Sequence, residues 1–258
     1  MRRLAGAGLT VALLVGGVSA CTGDDDSKAT GTAAPKPFAA TGYRGLTPGM
    51  AKDAALAGGS LEAAPVSLLD GCTDFAYKGG PAPDAARMTA EAATESASKE
   101  LNAKADAVAQ SAAALPTLRP GASAKESAEF AAAAAEAAKK SAADAKTIAD
   151  ATMALTRLMA AREAKDAAFA TAGRVSFGVD GLRELVAPAD ARTAEGIGAG
   201  STVAELQQAY GAKGLTPAKG GGAFDLPVEG KPGWQYAFTV SGEKVTVVAL
   251  VNSTMKCA

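Results

Sequence analysis

Between Pro83 and Thr171 apolar residues recur at steps of three and four on an alanine-rich, glycine-poor background, whereas on both sides they alternate or gather in short runs between glycines. The first pattern has the period of a helix and the second that of a strand. The central stretch is interrupted only at Leu115-Pro116-Thr117-Leu118-Arg119-Pro120-Gly121, so it predicts two long helices joined by a turn. Alanine has the highest intrinsic helix propensity. Pro83 with Asp84 suits a first turn, Pro116 ends the first helix, and Ser123 with Glu126 makes a capping box for the second. In the first helix Ala97, Leu101, Ala105, Val108, Ala112 and Leu115 step by four and three; in the second Ile148, Ala151, Leu155 and Leu158 do so, with Phe130, Ala134 and Ala137 on a compatible face. That is a coiled-coil seam, and its alanines predict two closely approached antiparallel helices with little buried area. The first, about 33 residues, reaches roughly 50 Å. The second is longer, and its surplus is expected to pack on the globular part.

The flanks read as mixed α/β, and they resemble each other. Gly45-Leu46-Thr47-Pro48-Gly49-Met50 leads through Asp53, Ala54 and Leu56 to Gly58-Gly59; Gly196-Ile197-Gly198-Ala199-Gly200-Ser201-Thr202-Val203 leads through Glu205 and Leu206 to Gly211. Each is a Gly-apolar-x-x-Gly opening into a short helix ended by glycine, the second with Thr202 as N-cap, Glu205 three residues on and Gly211 as C-cap. Predicted strands follow: Asp74–Tyr77, resumed beyond the helices by Arg174–Val179 and Leu182–Val186, and then Trp234–Val240 and Lys244–Val251 joined across Ser241-Gly242-Glu243. The fold class expected is α+β: two small helix-then-antiparallel-sheet units in one globular domain, residues 42–82 and 173–258, interrupted by a helical hairpin over 83–172.

The first twenty residues begin with Arg2 and Arg3, continue without charge from Leu4 to Val18, and end in small residues before Cys21. This is the plan of a secretory signal, too short for a transmembrane span. Val18-Ser19-Ala20-Cys21 resembles the lipobox of bacterial lipoproteins, which implies cleavage before Cys21 and acylation of its thiol and amine. Two acyl chains hold a protein stably on a membrane where one does not, so the expected location is the extracytoplasmic face of the cell membrane. No Phe-Leu pair follows the two arginines, which favours general secretion over twin-arginine export. Residues 21–41, with Asp24-Asp25-Asp26, Pro35 and Pro37, read as a flexible tether spanning roughly 25 Å. Heavy use of alanine and glycine points, with the lipobox, to an actinobacterial type of source.

The Gly-Met opening at Gly49 and the Gly-Ser-Thr-x-x-Glu-Leu-x-x-x-Tyr-Gly of Gly200–Gly211 resemble the helical start of the repeat shared by β-lactamase inhibitor proteins and the SmpA/OmlA envelope lipoproteins. The resemblance implies two tandem units, each a helical start followed by an antiparallel sheet. It covers residues 42–80 and 174–257 and is better in the second unit. The chain departs from it in the hairpin after Tyr77 and in lacking the cysteines of per-repeat disulfides. No counterpart of an inhibitor's active-site plug is present, so no functional residue carries over.

Composition narrows the function. Net charge is −1, no stretch concentrates Lys or Arg, and nucleic acid is excluded as a partner. There is no histidine, which removes the commonest general base and metal ligand. Once Cys21 is lipidated only Cys72 and Cys257 remain, and in an oxidising compartment they are expected to pair. No cofactor or metal site is expected: Lys219-Gly220-Gly221-Gly222 lacks the order of a phosphate loop, Gly196-x-Gly198-x-Gly200 lacks dinucleotide spacing, and Asp24-Asp25-Asp26 is a solvated spacer. Asp180, Glu184, Asp190 and Glu195 cluster in sequence near strand ends and read as surface charge. Trp234, Tyr236 and Phe238 share one strand face, either core or binding surface. With Val245, Val247, Ala249 and Val251 needing cover, core is expected for most. Trp234, beside Gly230-Lys231-Pro232-Gly233, is the exception, so Trp234, Tyr236 and Lys231 are the candidate partner contacts. Three functions remain: a surface-anchored binding protein without catalysis, a spacer or docking rod built on the hairpin, and an enzyme working with carboxylates alone. β-Lactamase inhibition is a narrower form of the first.

Overall fold

A computed structural model of the chain describes residues 37–111, 117 and 119–257. The elements run α1 (Lys52–Ala57), β1 (Leu61–Ser67), β2 (Thr73–Tyr77), α2 (Ala85–Gln110), α3 (Ala124–Phe169), β3 (Arg174–Gly178), β4 (Gly181–Val186), α4 (Val203–Tyr210), β5 (Thr216–Pro217), β6 (Ala223–Pro227), β7 (Trp234–Ser241) and β8 (Lys244–Asn252). The strands form one eight-stranded antiparallel sheet in the order β1-β2-β3-β4-β8-β7-β6-β5. Each half is a short helix followed by four strands. The halves meet where β4 lies against β8, with Leu185 opposite Leu250, so the two predicted units share a single sheet. The hairpin enters between β2 and β3 without separating them, since Phe75 still pairs with Val175.

The matched glycine openings are built alike. Gly45 and Gly49 take φ of 84° and 76°, and Gly196 and Gly200 take 84° and 90°, left-handed values that a side chain resists. Between them Leu46 and Ile197 turn into the common core. In the second unit Thr202 and Glu205 complete the expected capping box, and Gly211 caps α4. A further 3₁₀ turn then runs to Gly214, which carries the left-handed conformation. The Gly242-Glu243 turn joins Ser241 to Lys244, with the positive φ at Gly242 that a two-residue type II′ connection needs at its first position.

Strands β1, β5 and β6 were not anticipated. β1 carries two alanines and Pro65, and its register shifts on both sides of the proline; proline is tolerated there because β1 is an edge strand. β6 is five residues and β5 two, too short to show a period. The folded part also begins before residue 42. Phe38 is in the core, its amide donates to the Arg192 carbonyl at 2.8 Å, and Tyr43 and Leu46 bridge each other.

The hairpin differs from expectation in length and phase. Asp84 caps α2, but α2 is 26 residues and stops at Gln110. There the Ser111 hydroxyl donates to the Val108 carbonyl, a local bond that competes with helix continuation. Ala112 and Leu115 lie outside the described residues. Ser98, not Ala97, occupies the seam, followed by Leu101, Ala105 and Val108. In α3 Ala151, Ala154 and Leu158 are buried, while Ile148 and Leu155 face solvent, because a strict heptad drifts around a straight helix. The Arg87 guanidinium lies over the Phe169 ring, and Asp70 joins both Glu95 and Arg162, so Gln110 comes level with about residue 146 of α3. The surplus of α3, roughly 33 Å at 1.5 Å per residue, therefore extends past the far end of α2 and does not pack on the globular part.

Candidate functional site

One face of the sheet is the core. Phe75, Tyr77, Val175, Phe177, Leu182, Leu185, Tyr236, Phe238 and Leu250 pack there against α1, α4 and residues 38–46. Trp234 belongs to the same face and is only 8% exposed, so it is not the exposed anchor its loop-side position indicated. Strand alternation sends it inward with Tyr236 and Phe238. Tyr236 lines a recess at the edge of the core. Lys231 is half-buried in the turn between β6 and β7, where its amide donates to Val228 at 3.2 Å. The three candidate contacts therefore do not form one exposed patch.

The opposite face is covered over β1 to β3 by the root of the hairpin and is open over β6, β7 and β8. The root is mostly polar: its apolar part is Val66, Ala76 and Phe169. Around it lie three ionic groups. Ser67 donates to Glu91 at 2.6 Å, and Glu91 also pairs with Arg87. Arg162 grips Asp70 through two nitrogens at 2.9 and 2.6 Å. Asp74, 2% exposed, lies 3.3 Å from the Lys165 ammonium and 3.5 Å from Arg174, which also reaches Glu184 at 2.7 Å and Asp166 at 2.9 Å. Burial by itself would lower the pKa of the Arg174 guanidinium, but Glu184, Asp74 and Asp166 outweigh it and hold the value above the ordinary one. These residues were missed in the sequence, although a signal existed: Glu91, Ser98 and Ala105 recur every seven residues, which places a charge in the seam.

The four carboxylates that cluster in sequence separate in space. Glu184 joins the ionic root, Glu195 accepts from Tyr210 and Lys213, and Asp180 and Asp190 are exposed. Among the described residues no group of three or more Cys, Asp or Glu is placed to hold a metal ion.

Beyond the root, the open face carries the cross-strand pairs Gln235 with Val251, Ala237 with Ala249 and Thr239 with Val247. Small and β-branched residues predominate, with Asp225 on β6 and Glu184 on β4 at the margins and Asp166 and Arg174 on the side of the hairpin. Where this face meets α3, a recess of about 220 Å³ is walled by Phe169, Ala170, Val186, Ala237 and Val247 and by the charged Asp166, Arg174 and Glu184 of the ionic root. The surface is thus a shallow apolar floor with the helical hairpin as a wall on one side.

Cys72, which precedes β2, and Cys257, after β8, lie at disulfide distance with Cα atoms 4.7 Å apart and a sequence separation of 185. The tail leading to Cys257 is also held by backbone: Val179 donates to the Lys256 carbonyl at 3.1 Å, and Arg183 to that of Met255 at 3.0 Å. Cys21 lies outside the described residues, and among those described no helix is long and apolar enough to cross a membrane. Comparison with known protein families, curated proteins and solved structures finds no match to this chain.

Proposed function

We propose that this chain is a lipid-anchored extracytoplasmic binding protein that holds a protein or other envelope component against the open part of its sheet, without catalysis. The observation that carries this reading is the uncovered floor of β7 and β8, whose pairs Gln235/Val251, Ala237/Ala249 and Thr239/Val247 carry no charge, with the charged groups at its margin beside the hairpin wall. An apolar face rimmed by polar residues is a common interaction surface. The absence of histidine from the chain and the engagement of Glu184 and Glu195 in ion pairs support binding over chemistry. The run Val18-Ser19-Ala20-Cys21 supports the membrane anchor; labelled palmitate should enter the wild-type chain and not Cys21→Ser.

The test is in-cell cross-linking of the lipidated protein followed by mass spectrometry, in three strains: wild type, Val247→Arg, and one whose residues 83–171 are replaced by a short Gly/Ser loop. Loss of a partner in Val247→Arg supports the sheet reading; a partner indifferent to that change sinks it. A second reading, the hairpin as docking rod, is favoured by Ile148, Leu155 and Met159, which stand exposed along one side of α3. It predicts a partner lost only with residues 83–171. The narrower reading, a β-lactamase-inhibitor-like function, is supported by the tandem helix-then-four-strand arrangement, which is an argument from fold alone. It fails if micromolar protein leaves several lactamases unaffected.

A further inference from the structure

On the helix side of the sheet, away from the open face, a cavity of about 490 Å³ opens between α4 and β6, within the size range of small-molecule sites. Its aromatic walls are Tyr210 and Tyr236, rings stacked with centroids 6.4 Å apart. Leu226 and Pro227 supply an apolar side, and Glu195 and Glu229 bring carboxylates to it.

The chain already shows what this site recognises. The Lys213 ammonium sits 5.3 Å from the centre of the Tyr210 ring and 2.7 Å from a Glu195 oxygen, the arrangement by which aromatic faces and a carboxylate hold an ammonium ion. Yet Lys213 keeps 54% of its side chain in solvent, and an exposed pair of this kind is weak and easily opened. Tyr210 spends its hydroxyl on Glu195. The Tyr236 side chain lines the cavity. Burial, and then the charge of Glu195, push the Tyr236 phenol up to about 12, so it is neutral at pH 7. Burial would raise the pKa of Glu195, but hydrogen bonds from Lys213 and Tyr210 win and keep it below the ordinary value. The carboxylate is thus ionised at pH 7.

We propose that this cavity binds a small organic cation, an ammonium group on an apolar body, with Glu195 as counter-ion, Tyr210 and Tyr236 as aromatic walls and Lys213 as the resident cation it displaces. The proposal does not rest on the sheet-face reading. It makes an unusual pair of expectations, since removing a carboxylate must weaken binding while removing a lysine from the same site must strengthen it.

The experiment is calorimetric titration of the full chain with benzyltrimethylammonium, with benzyl alcohol as the uncharged comparison, for wild type, Glu195→Gln and Lys213→Met. Expected are saturable one-site binding of the cation and none of the alcohol, at least tenfold weaker binding in Glu195→Gln, and severalfold tighter binding in Lys213→Met. Both side chains are at the surface, and thermal melts confirm that each variant is folded. No saturable binding in either wild type or Lys213→Met overturns the proposal. So does equal binding by Glu195→Gln, or weaker binding by folded Lys213→Met.

Discussion

Phe238 in the sheet is 0% exposed, stacked on Tyr236 and tilted against Tyr210, whereas Leu155 in the middle of the hairpin leaves 44% of its surface in water. The sheet buries large aromatic and branched side chains between its inner face and short helices. The hairpin buries alanines, Ser98 and Leu158 along its seam, and it is fastened to the sheet mainly by ions. Apolar burial contributes in proportion to area, so an alanine seam gives α2 and α3 little hold on each other, and the stiffness of the pair derives from backbone hydrogen bonds and caps. A buried ionic root has a different property: the charges are poor at adding stability but costly to leave unpaired. That favours one seating of the hairpin over others without making the attachment strong.

The contrast can be broken most forcefully in the core. Phe238→Ala should destabilise the protein by about 4 kcal/mol in chemical denaturation, and a loss under about 1 kcal/mol would show that the sheet core is not the principal source of stability. Asp74→Ala leaves Lys165 without a partner and should cost about 3 kcal/mol. A neutral result there would mean that the root tolerates an uncompensated buried charge. Ser123→Ala removes one half of the capping box of α3 and should cost about 1 kcal/mol, read as lower helical circular dichroism with the sheet's near-ultraviolet signal unchanged. Arg162→Ala breaks a bidentate pair whose partners are 42% and 34% exposed and should cost no more than about 0.5 kcal/mol. If Asp74→Ala and Arg162→Ala cost the same, depth of burial does not govern the root.

The smallest effect is one of pH. Glu195 has its folded-state pKa depressed below 4.5, so its contribution to stability is fully present above that value and fades as pH falls through the depressed one. The melting temperature of wild type should exceed that of Glu195→Gln at pH 7, and the gap should narrow towards pH 3. A gap that widens on acidification would reverse the sign assigned to this carboxylate.

Much of this architecture follows from local chemistry. The caps at Ser123 and Thr202, the paired glycine openings, the Gly242 turn and the central strands were all legible, because each depends on residues a few positions apart. The edge strands were not: Pro65 and the alanines of β1 carry no β signal, and pairing with β2 alone makes the segment a strand. The end of α2 and the face of α3 turned towards it were misjudged by a few residues, since an alanine-rich helix has few large side chains to mark its phase.

What the sequence by itself determined is the alternation of helix-forming and strand-forming segments, the duplicated opening, and the scarcity of groups for acid–base or metal chemistry, all set by residue type and short spacing. Only the tertiary structure decided that the two halves join through β4 and β8 into one sheet, and that Trp234 points inward. It also brought Asp74, Lys165, Arg174 and Glu184 together under the hairpin, and Glu195, Lys213 and two tyrosines around one cavity. These are juxtapositions of residues far apart in the chain, and they arise from the need to cover one face of the sheet and pair every buried charge, a requirement that no local pattern records.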